Sequence, residues 1–205
     1  MALDHPIVAQ SFEIIDQEIG THNFNSSEYA ILRRIIHTTA DFEFTQLLKF
    51  SPGAIESGIN ALSRQIPIVT DVSMVRMGIA TMTAKTFGNH IFSAVEQVKS
   101  ALPGKTKTET GLVQLFRQYP EAVYVIGNAP TALLALCSQL SHSPVKPPLI
   151  IGVPVGFVAV QEAKLALAQT CVPHIMVQGR KGGSPVAAAI LNALLVLAWK
   201  SREVK

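Results

Sequence analysis

Cysteine is scarce in this sequence, and its two copies do not form a metal or redox motif. Cys137 and Cys171 each lie inside an apolar stretch, and neither belongs to a C-x-x-C pair. Disulfide scaffolds and zinc sites depend on such spacings, so we expect two reduced thiols in the core. The six histidines also lack the H-x-x-x-H and H-E-x-x-H spacings of metal-binding helices. We therefore expect no metal bound by the protein.

Charged and aromatic residues are also few. Asp, Glu, Lys and Arg make up 15% of the chain, aromatic residues make up 6%, and the formal net charge is +3. A nucleic-acid-binding surface combines a dense basic stripe with aromatic side chains that stack on bases, whereas the basic residues here are spread along the chain. We expect no nucleic-acid partner. The mild positive charge is better suited to a small polyanionic ligand.

No apolar run reaches the length of about 20 residues that a membrane-spanning helix needs. The longest run, VAAAILNALLVLAW at 186–199, contains Asn192 and follows Gly-Gly-Ser-Pro. Ser184 is an expected N-cap and Pro185 an expected first-turn residue, which predicts a buried helix of a globular protein. The first residues, MALDHPIVAQSF, lack the regions of a secretory signal. We expect a cytoplasmic protein without a membrane partner.

Hydrophobic residues, in contrast, are abundant. They make up 48% of the 205 residues, and the mean hydropathy is +0.32. A chain of this length builds one well-buried core, so we predict a single domain over 1–205. The apolar surplus beyond that core predicts a buried interface between subunits and hence an oligomer.

From about residue 67 the chain alternates short β-branched runs with helix-length segments. Runs that are apolar on both faces are typical of parallel strands buried between helical layers. We predict an α/β fold, a three-layer α/β/α sandwich with a mainly parallel sheet of about five strands: PIVTD at 67–71, HIFSAV at 90–95, AVYVIGNA at 122–129, PPLIIGV at 147–153 and PHIMVQG at 173–179. Helix starts are marked by an Asn25/Glu28 capping box and by Pro52, Pro130 and Pro185.

Glycine-containing turns follow the predicted strands: IGNAP, IGVPVGF and QGRKGGS, with TD after the first strand. In open parallel sheets the ligand crevice lies beyond the carboxyl ends of the strands, and several such turns at one edge favour a site there. The alternative is that strand-to-helix turns require glycine and asparagine in any case. The P-loop spacing and the G-x-G-x-x-G fingerprint are both absent, so nucleotide binding is not supported.

The segment RRIIHTTAD at 33–41 gathers four ionisable side chains within about two and a half helical turns. His37 is four residues from both Arg33 and Asp41 and three from Arg34, so all can share one flank of a helix. A histidine held by a carboxylate and flanked by cations can exchange a proton with a bound anion. Alternatively, His37 stabilises the helix dipole and Asp41 turns the chain. Spacing alone leaves both interpretations open.

Other basic side chains lie in or beside turns, where they could grip a carboxylate-rich ligand. The alternative for each one is a solvated surface charge. These side chains are Arg76, Lys85, Lys107, Lys164 and Arg180.

Five motifs, in this order and over nearly the whole chain, closely resemble the precorrin-8X methylmutase family, also called precorrin isomerase or cobalt-precorrin-8 methylmutase: RRIIHTTAD, TDVSMVRMGI, VIGNAPTALLAL, IIGVPVGFVAVQEAK and GRKGGSPVAAAILNAL. The resemblance implies an α/β homodimer of the cytoplasm that uses no separate cofactor. It implies a tetrapyrrole substrate, a corrin precursor on the route to cobalamin, whose methyl group moves from carbon 11 to carbon 12.

The resemblance also implies site residues. His37 matches the family's proton donor and acceptor, and Ser11 and Arg34 match substrate contacts. Lys107 stands where many members have arginine, so the charge is kept but the bidentate fork is lost. The remaining expected substrate-binding residues lie in the matching turns and helix starts: Arg76, Asn128, Arg180 and Ser184.

Two alternatives of other classes remain at this point. A tetrapyrrole carrier would bind the corrinoid without changing it, and an ordinary nucleotide-binding α/β protein would need phosphate fingerprints that the chain lacks. The sequence does not specify whether the substrate is metal-free or contains cobalt. It also does not specify which subunit supplies each basic contact.

Overall fold

The structure is a computed structural model that describes residue 3 and residues 5–203. Within these residues helices and short strands alternate. The helices are α1 (Pro6–Glu18), α2 (Ser26–Thr39), α3 (Phe44–Leu47), α4 (Ala54–Ser63), α5 (Ser73–Lys85), α6 (Ala94–Gln97), α7 (Lys107–Gln118), α8 (Pro130–His142), α9 (Val160–Ala168) and α10 (Ser184–Glu203). The strands are β1 (Leu48–Phe50), β2 (Ile68–Thr70), β3 (Ile91–Ser93), β4 (Val123–Ile126), β5 (Ile150–Gly152) and β6 (His174–Val177).

The strands form one sheet in the order β1-β6-β5-β4-β2-β3. The five strands from β2 to β6 are parallel to their neighbours, and β1 pairs antiparallel with β6. From the two neighbouring strands β2 and β4 the chain winds outward in opposite directions: β2 is followed by β3 on one side, and β4 is followed by β5 and β6 on the other. Doubly wound folds show the same change of direction. Such a reversal opens a crevice at the carboxyl ends of the strands.

Successive side chains of β4 pack into two different hydrophobic cores, one on each face of the sheet. Val123 and Val125 pack into a core with residues of α2, α4, α5 and α10, whereas Tyr124 and Ile126 pack into a core with residues of α7, α8 and α9. Because side chains alternate along a strand, a strand that is apolar throughout fits only between two covered faces. The predicted three-layer α/β/α sandwich with its mainly parallel sheet is confirmed.

Helix α10 lies at the centre of the first layer and contacts α2, α4 and α5. Its segment Ser184–Arg202 is long and apolar enough to cross a membrane by length and composition, but 67% of its most apolar window is buried inside the protein. That burial is typical of a core helix, as the sequence predicted. The helix begins at Ser184, one residue earlier than a Ser184 N-cap would place it.

Several local predictions are confirmed and others need correction. The Asn25/Glu28 capping box and the start of α8 at Pro130 are as predicted. Helix α4 begins at Ala54, because Gly53 first adopts a left-handed conformation (φ 72°) after Pro52. The strand β1 was missed, since its sequence Leu-Lys-Phe carries no β-branched residue and is only three residues long.

The prediction of two core thiols is correct for one cysteine only. Cys137 is buried in α8, and burial raises the pKa of its thiol to about 11. Cys171 is exposed in the turn between α9 and β6, although the apolar residues Val172 and Pro173 follow it. Both thiols are free.

Candidate active site at the carboxyl edge of the sheet

Glycines allow the backbone to pack unusually closely at the carboxyl edge of the sheet. A Cβ atom on Gly127, directly after β4, would lie 2.8 Å from Val75, 2.9 Å from Ala187 and 2.9 Å from the Ser184 Cα. A Cβ atom on Gly182 would lie 2.2 Å from the carbonyl oxygen of Val153. The glycines of the GNAP and GRKGGS turns therefore bring β4, α5 and the start of α10 together.

A buried carboxylate organises the same edge. The Asp71 side chain follows β2 and accepts backbone N–H groups from Val72 (2.9 Å), Gly127 (3.1 Å), Asn128 (2.6 Å) and Ala129 (2.8 Å). Burial raises the pKa of this carboxyl, and the four N–H donors act in the opposite direction. Asp71 thus fixes the turn that leads into α8 and belongs to the framework of the site.

A cleft of about 350 Å³ opens between α2, α5 and the first half of α10. It contains two side chains that the sequence assigned to the site, Arg34 and Ser184. Ser184 is buried at the start of α10, and Arg34 is half-buried on α2. The other lining residues are Thr38, Met74, Gly78, Pro185, Ala188, Ala189 and Asn192.

His37 lies in the last turn of α2, one residue before the cleft residue Thr38. Its ring packs edge-on against Phe12 of α1, with ring centroids 5.5 Å apart. The ring is half-buried, and it forms no hydrogen bond with any residue that the structure describes. Packing against Phe12 therefore orients the ring, and no acceptor within residue 3 and residues 5–203 occupies its nitrogens.

The proposed shared flank of four ionisable side chains is corrected by the structure. Arg33 pairs with Asp16 of α1 at 2.7 Å and lies over the Phe12 ring. Asp41 lies beyond the end of α2 and pairs with Lys181 at 2.6 Å, so it does not hold His37. Asp41 also accepts the backbone N–H of Glu43, which confirms the alternative in which it turns the chain.

Helix α1 is tied to α2 by the same contacts. The Tyr29 hydroxyl donates to Asp16, and burial, together with this carboxylate, raises the pKa of Tyr29 to about 12. Phe12 contacts Arg33, Arg34 and His37. The predicted residue Ser11 is its neighbour in the chain, and its hydroxyl donates to the Ile7 carbonyl at 2.9 Å. The structure thus brings α1 to the His37 side of the cleft.

The other predicted contacts do not line the cleft. Lys107 is the exposed first residue of α7, in the opposite helical layer. Arg180 is exposed and lies 5.4 Å from the ring centroid of the exposed Phe157. Asn128 has an exposed side chain in the turn before α8. Arg76 pairs with Glu96 at 2.6 Å across α5 and α6, so its charge is already compensated within the chain.

Two further lysines that the sequence analysis offered as ligand contacts are not placed to bind a ligand at the carboxyl edge of the sheet. Lys85 ends α5, which begins at the carboxyl edge, so about 12 residues of helix place it roughly 18 Å away. Lys164 is buried in α9, with 2% of its surface exposed. Its ammonium donates to backbone carbonyls, and the hypothesis that it grips a ligand is therefore wrong in this structure.

A larger groove, of about 850 Å³, lies between α7 and α8. Lys105, Glu109 and Arg117 line it, and none of the predicted site residues does. Among the residues described, no three His, Cys, Asp or Glu side chains lie close enough together to hold a metal ion. The cleft of about 350 Å³ is therefore the candidate site, because it is lined by Arg34 and Ser184, which the sequence analysis assigned to the site.

Comparison with known proteins assigns the family. A profile of the precorrin-8X methylmutases matches residues 6–197. The chain belongs to the precorrin-8X methylmutase family. It is 51% identical over 212 residues to the cobalt-precorrin-8 methylmutase of Synechocystis sp., covering 97% of this chain and 98% of the relative. The corresponding protein of Leptospira interrogans is 40% identical, covering 98% of this chain and 97% of the relative.

A solved structure agrees with this assignment. The precorrin-8x methyl mutase of Thermus thermophilus superposes with a TM-score of 0.89 at 38% sequence identity, covering 96% of this chain and 97% of that one. Methylmutases are intramolecular transferases, so the chain is an isomerase of cobalamin biosynthesis. The resemblance that the five motifs indicated is confirmed.

The sequence does not assign seven of the residues that line the methylmutase cleft to the site, among them Thr38, Met74 and Asn192. Thr38 is four residues after Arg34, so the α2 periodicity that was used for His37 could have identified it. Asn192 is the one polar residue in the run 186–199, and its side-chain amide donates to the Gly78 carbonyl at 3.0 Å. Met74 carries no distinguishing signal, because methionine is usually a buried residue and nothing in the sequence marks this one as exposed.

Proposed function

We propose that this chain moves a methyl group from carbon 11 to carbon 12 of precorrin-8X or cobalt-precorrin-8, giving hydrogenobyrinate or cobyrinate. His37 acts as proton donor and acceptor. The observation that carries the proposal is the position of His37, beside a cleft lined by Arg34 and Ser184, with no protein partner on its ring among the described residues. The enzyme is expected to work in the cytoplasm.

The surface around the cleft suits a flat, polycarboxylated ring. Arg34 and Arg180 can pair with acetate and propionate groups. An apolar border of exposed side chains lies on α5: Met74 (67%) lines the cleft, and Met77 (70%) follows it by three residues on the same helix. A cleft of about 350 Å³ is at the small end for ligand sites. A corrinoid extends beyond it, and its ring faces would cover this apolar border.

The reaction requires redistribution of π electrons and no protein nucleophile. An imidazolium at His37 donates a proton or a strong hydrogen bond to the ring nitrogen beside the migration site. The neighbouring carbon becomes electron-poor, and the sigmatropic shift of the methyl group becomes easier. Because atoms only change position, the proton returns to His37 at the end. General acid catalysis of this kind contributes about 10²–10⁴ in rate.

A homodimer would explain how His37 and Lys107, which lie in different layers of one chain, can act in the same site. His37 lies in the α2 layer, whereas Lys107 opens α7 in the other layer. A second copy that packs over the bound corrinoid would add its own Lys107 to the cleft and close it against water. Homodimers with two-fold symmetry are the commonest assembly of soluble proteins, and the apolar surplus of the sequence fits such an interface.

The decisive experiment replaces His37 by alanine and assays both precorrin-8X and cobalt-precorrin-8 without oxygen. We expect a loss of turnover of at least about 10²-fold, with binding of the corrinoid retained, because Arg34 and the apolar border are unchanged. His142→Ala is the matched control, since His142 also lies in the last turn of its helix and is exposed away from the cleft. It should leave turnover unchanged.

Two results would contradict the proposal. An active His37→Ala enzyme would remove the assigned role of the histidine. Binding of the corrinoid by the wild-type chain without any change in its absorption spectrum would identify a carrier and exclude the isomerase activity. Comparison of the two substrates in the same assay shows whether the enzyme prefers the metal-free ring or the cobalt complex.

A further inference from the structure

Lys164 is an unusual residue because it is almost fully buried and carries no ion pair within the described residues. It belongs to α9, and 2% of its surface is exposed. Its ammonium donates to the backbone carbonyls of Gly179 at 2.9 Å and Lys181 at 2.7 Å. Burial lowers the pKa of this ammonium to about 8. A buried cation without a carboxylate is costly, so its contacts point to a specific role.

The two acceptor carbonyls flank Arg180, a predicted substrate contact. The loop 179–183 that carries Arg180 joins β6 to α10, the helix that begins with the cleft residue Ser184. The Arg180 carbonyl accepts the Gly156 N–H at 3.3 Å, and the Gly183 N–H donates to the Val153 carbonyl at 2.9 Å. Lys164 is therefore the side chain that holds this loop from inside the protein.

The loop is rich in glycine, and the ion pair of Lys181 with Asp41 holds it from outside while Lys164 binds it from inside. Gly179 and Gly182 both have positive φ angles of 72° and 147°, and glycines give the backbone much conformational freedom. Arg180 is exposed, and its guanidinium packs on the exposed Phe157 ring. Its direction is therefore set mainly by the backbone on its two sides, which is the part that Lys164 binds.

We propose that Lys164 is a positioning residue of the methylmutase: it fixes the backbone on both sides of Arg180 and so directs the guanidinium toward a carboxylate of the corrinoid. Lys164 acts through Arg180 and does not touch the substrate, because its ammonium is buried. This inference rests on the proposed function. It adds a residue of α9, outside the cleft, to the determinants of substrate binding.

The first test compares Lys164→Met with the wild-type enzyme on cobalt-precorrin-8. Methionine has a similar length and volume but no donor. We expect KM to rise about tenfold, the effect of losing one oriented charged contact, with kcat within about twofold because His37 is unaffected. Leu167→Ala is the control: it creates a cavity in the same helix, whose Leu167 is fully buried, and should lower the melting temperature without raising KM.

The second test is a double-mutant cycle with Arg180→Ala. If Lys164 acts through Arg180, the double variant should have about the same KM as Arg180→Ala alone, because the loop then has no guanidinium to direct. If Lys164→Met fails to fold, Lys164→Leu, which also lacks a donor, takes its place in the cycle. A KM within twofold of wild type, or effects that multiply in the double variant, would overturn the proposal.

The wild-type assay separates this inference from the function on which it rests. A wild-type enzyme that converts cobalt-precorrin-8 while Lys164→Met keeps its KM overturns only the role of Lys164. A wild-type chain that converts neither corrinoid overturns the proposed function, and the role of Lys164 falls with it.

Discussion

At the scale of single residues, the ionisable side chains fall into two groups: those paired with other charged side chains and those bound to backbone groups. Arg33, Asp41 and Arg76 are paired with other side chains of the chain. Asp71 and Lys164 are buried and bind backbone groups at the carboxyl edge. The sequence groups Arg33 and Asp41 with His37 and offers Arg76 and Lys164 as ligand contacts, because residue type and spacing do not show which partner a side chain reaches.

The pairing of Asp41 with Lys181 predicts a specific pH dependence. The hydrogen bond from Lys181 lowers the pKa of the Asp41 carboxyl below its usual value of 3.8. Because the folded pKa is lower than the unfolded one, the stabilisation is complete above about pH 4 and is lost as the pH falls through the folded pKa. Asp41→Asn should therefore lower the melting temperature at pH 7, by at most about 3 °C, and the difference from wild type should shrink as the pH falls below about 4.

Thermal unfolding of the two proteins between pH 2 and 7 checks this prediction. Asparagine keeps the acceptor for the Glu43 N–H, so the variant removes only the charge. Glu121→Gln, at an exposed carboxylate without an ion pair in the described part of the chain, is the control and should show no such trend. A constant difference between wild type and Asp41→Asn at every pH would contradict the assigned pairing.

At the scale of helices and strands, local signals predicted most of the fold. The β-branched runs became β2 to β6, and the capping box and Pro130 marked the starts of α2 and α8. Contacts between distant segments could not be predicted in this way. Asp41 and Lys181 are 140 residues apart, and Lys164 meets a loop that belongs to another strand–helix connection. Such pairs follow from tertiary packing, which one sequence does not display.

The close packing around Gly127 leads to a prediction about how elements meet. An alanine Cβ there would lie under 3.0 Å from atoms of Val75, Ala187 and Ser184. Gly127→Ala should lower the free energy of unfolding by about 1–3 kcal/mol, the usual cost of overpacking. It should also reduce activity, because the start of α10 is pushed away from β4.

Urea denaturation and the methylmutase assay measure these two effects. Gly104→Asn is a suitable control, since Gly104 has open space around its Cβ position and asparagine tolerates its φ of 72°. Unchanged stability and activity of Gly127→Ala would show that α10 can shift without consequence for the site.

At the scale of the whole molecule, the proposed homodimer can be tested by mixing inactive variants. If each site takes His37 from one subunit and Lys107 from the other, a dimer of His37→Ala and Lys107→Glu subunits contains one intact site. Random reassociation of equal amounts should then restore about a quarter of the wild-type activity, given two-fold symmetry.

A second mixture makes this experiment specific. Arg34 and His37 lie on the same helix, so a mixed dimer of Arg34→Ala and His37→Ala subunits has no intact site and should remain inactive. No recovery in the first mixture would assign His37 and Lys107 to the same subunit. Recovery in both mixtures would point to aggregation-dependent effects and contradict the shared site.

The two edge strands of the sheet have a consequence for aggregation. Both outer strands, β1 and β3, are three residues long, and β1 presents the exposed Lys49 at its centre. Short edge strands that carry a charged side chain are poor templates for the addition of a strand from another molecule. We therefore expect that the edge strands of this sheet do not template fibrils, even though the interior of the protein is strongly apolar.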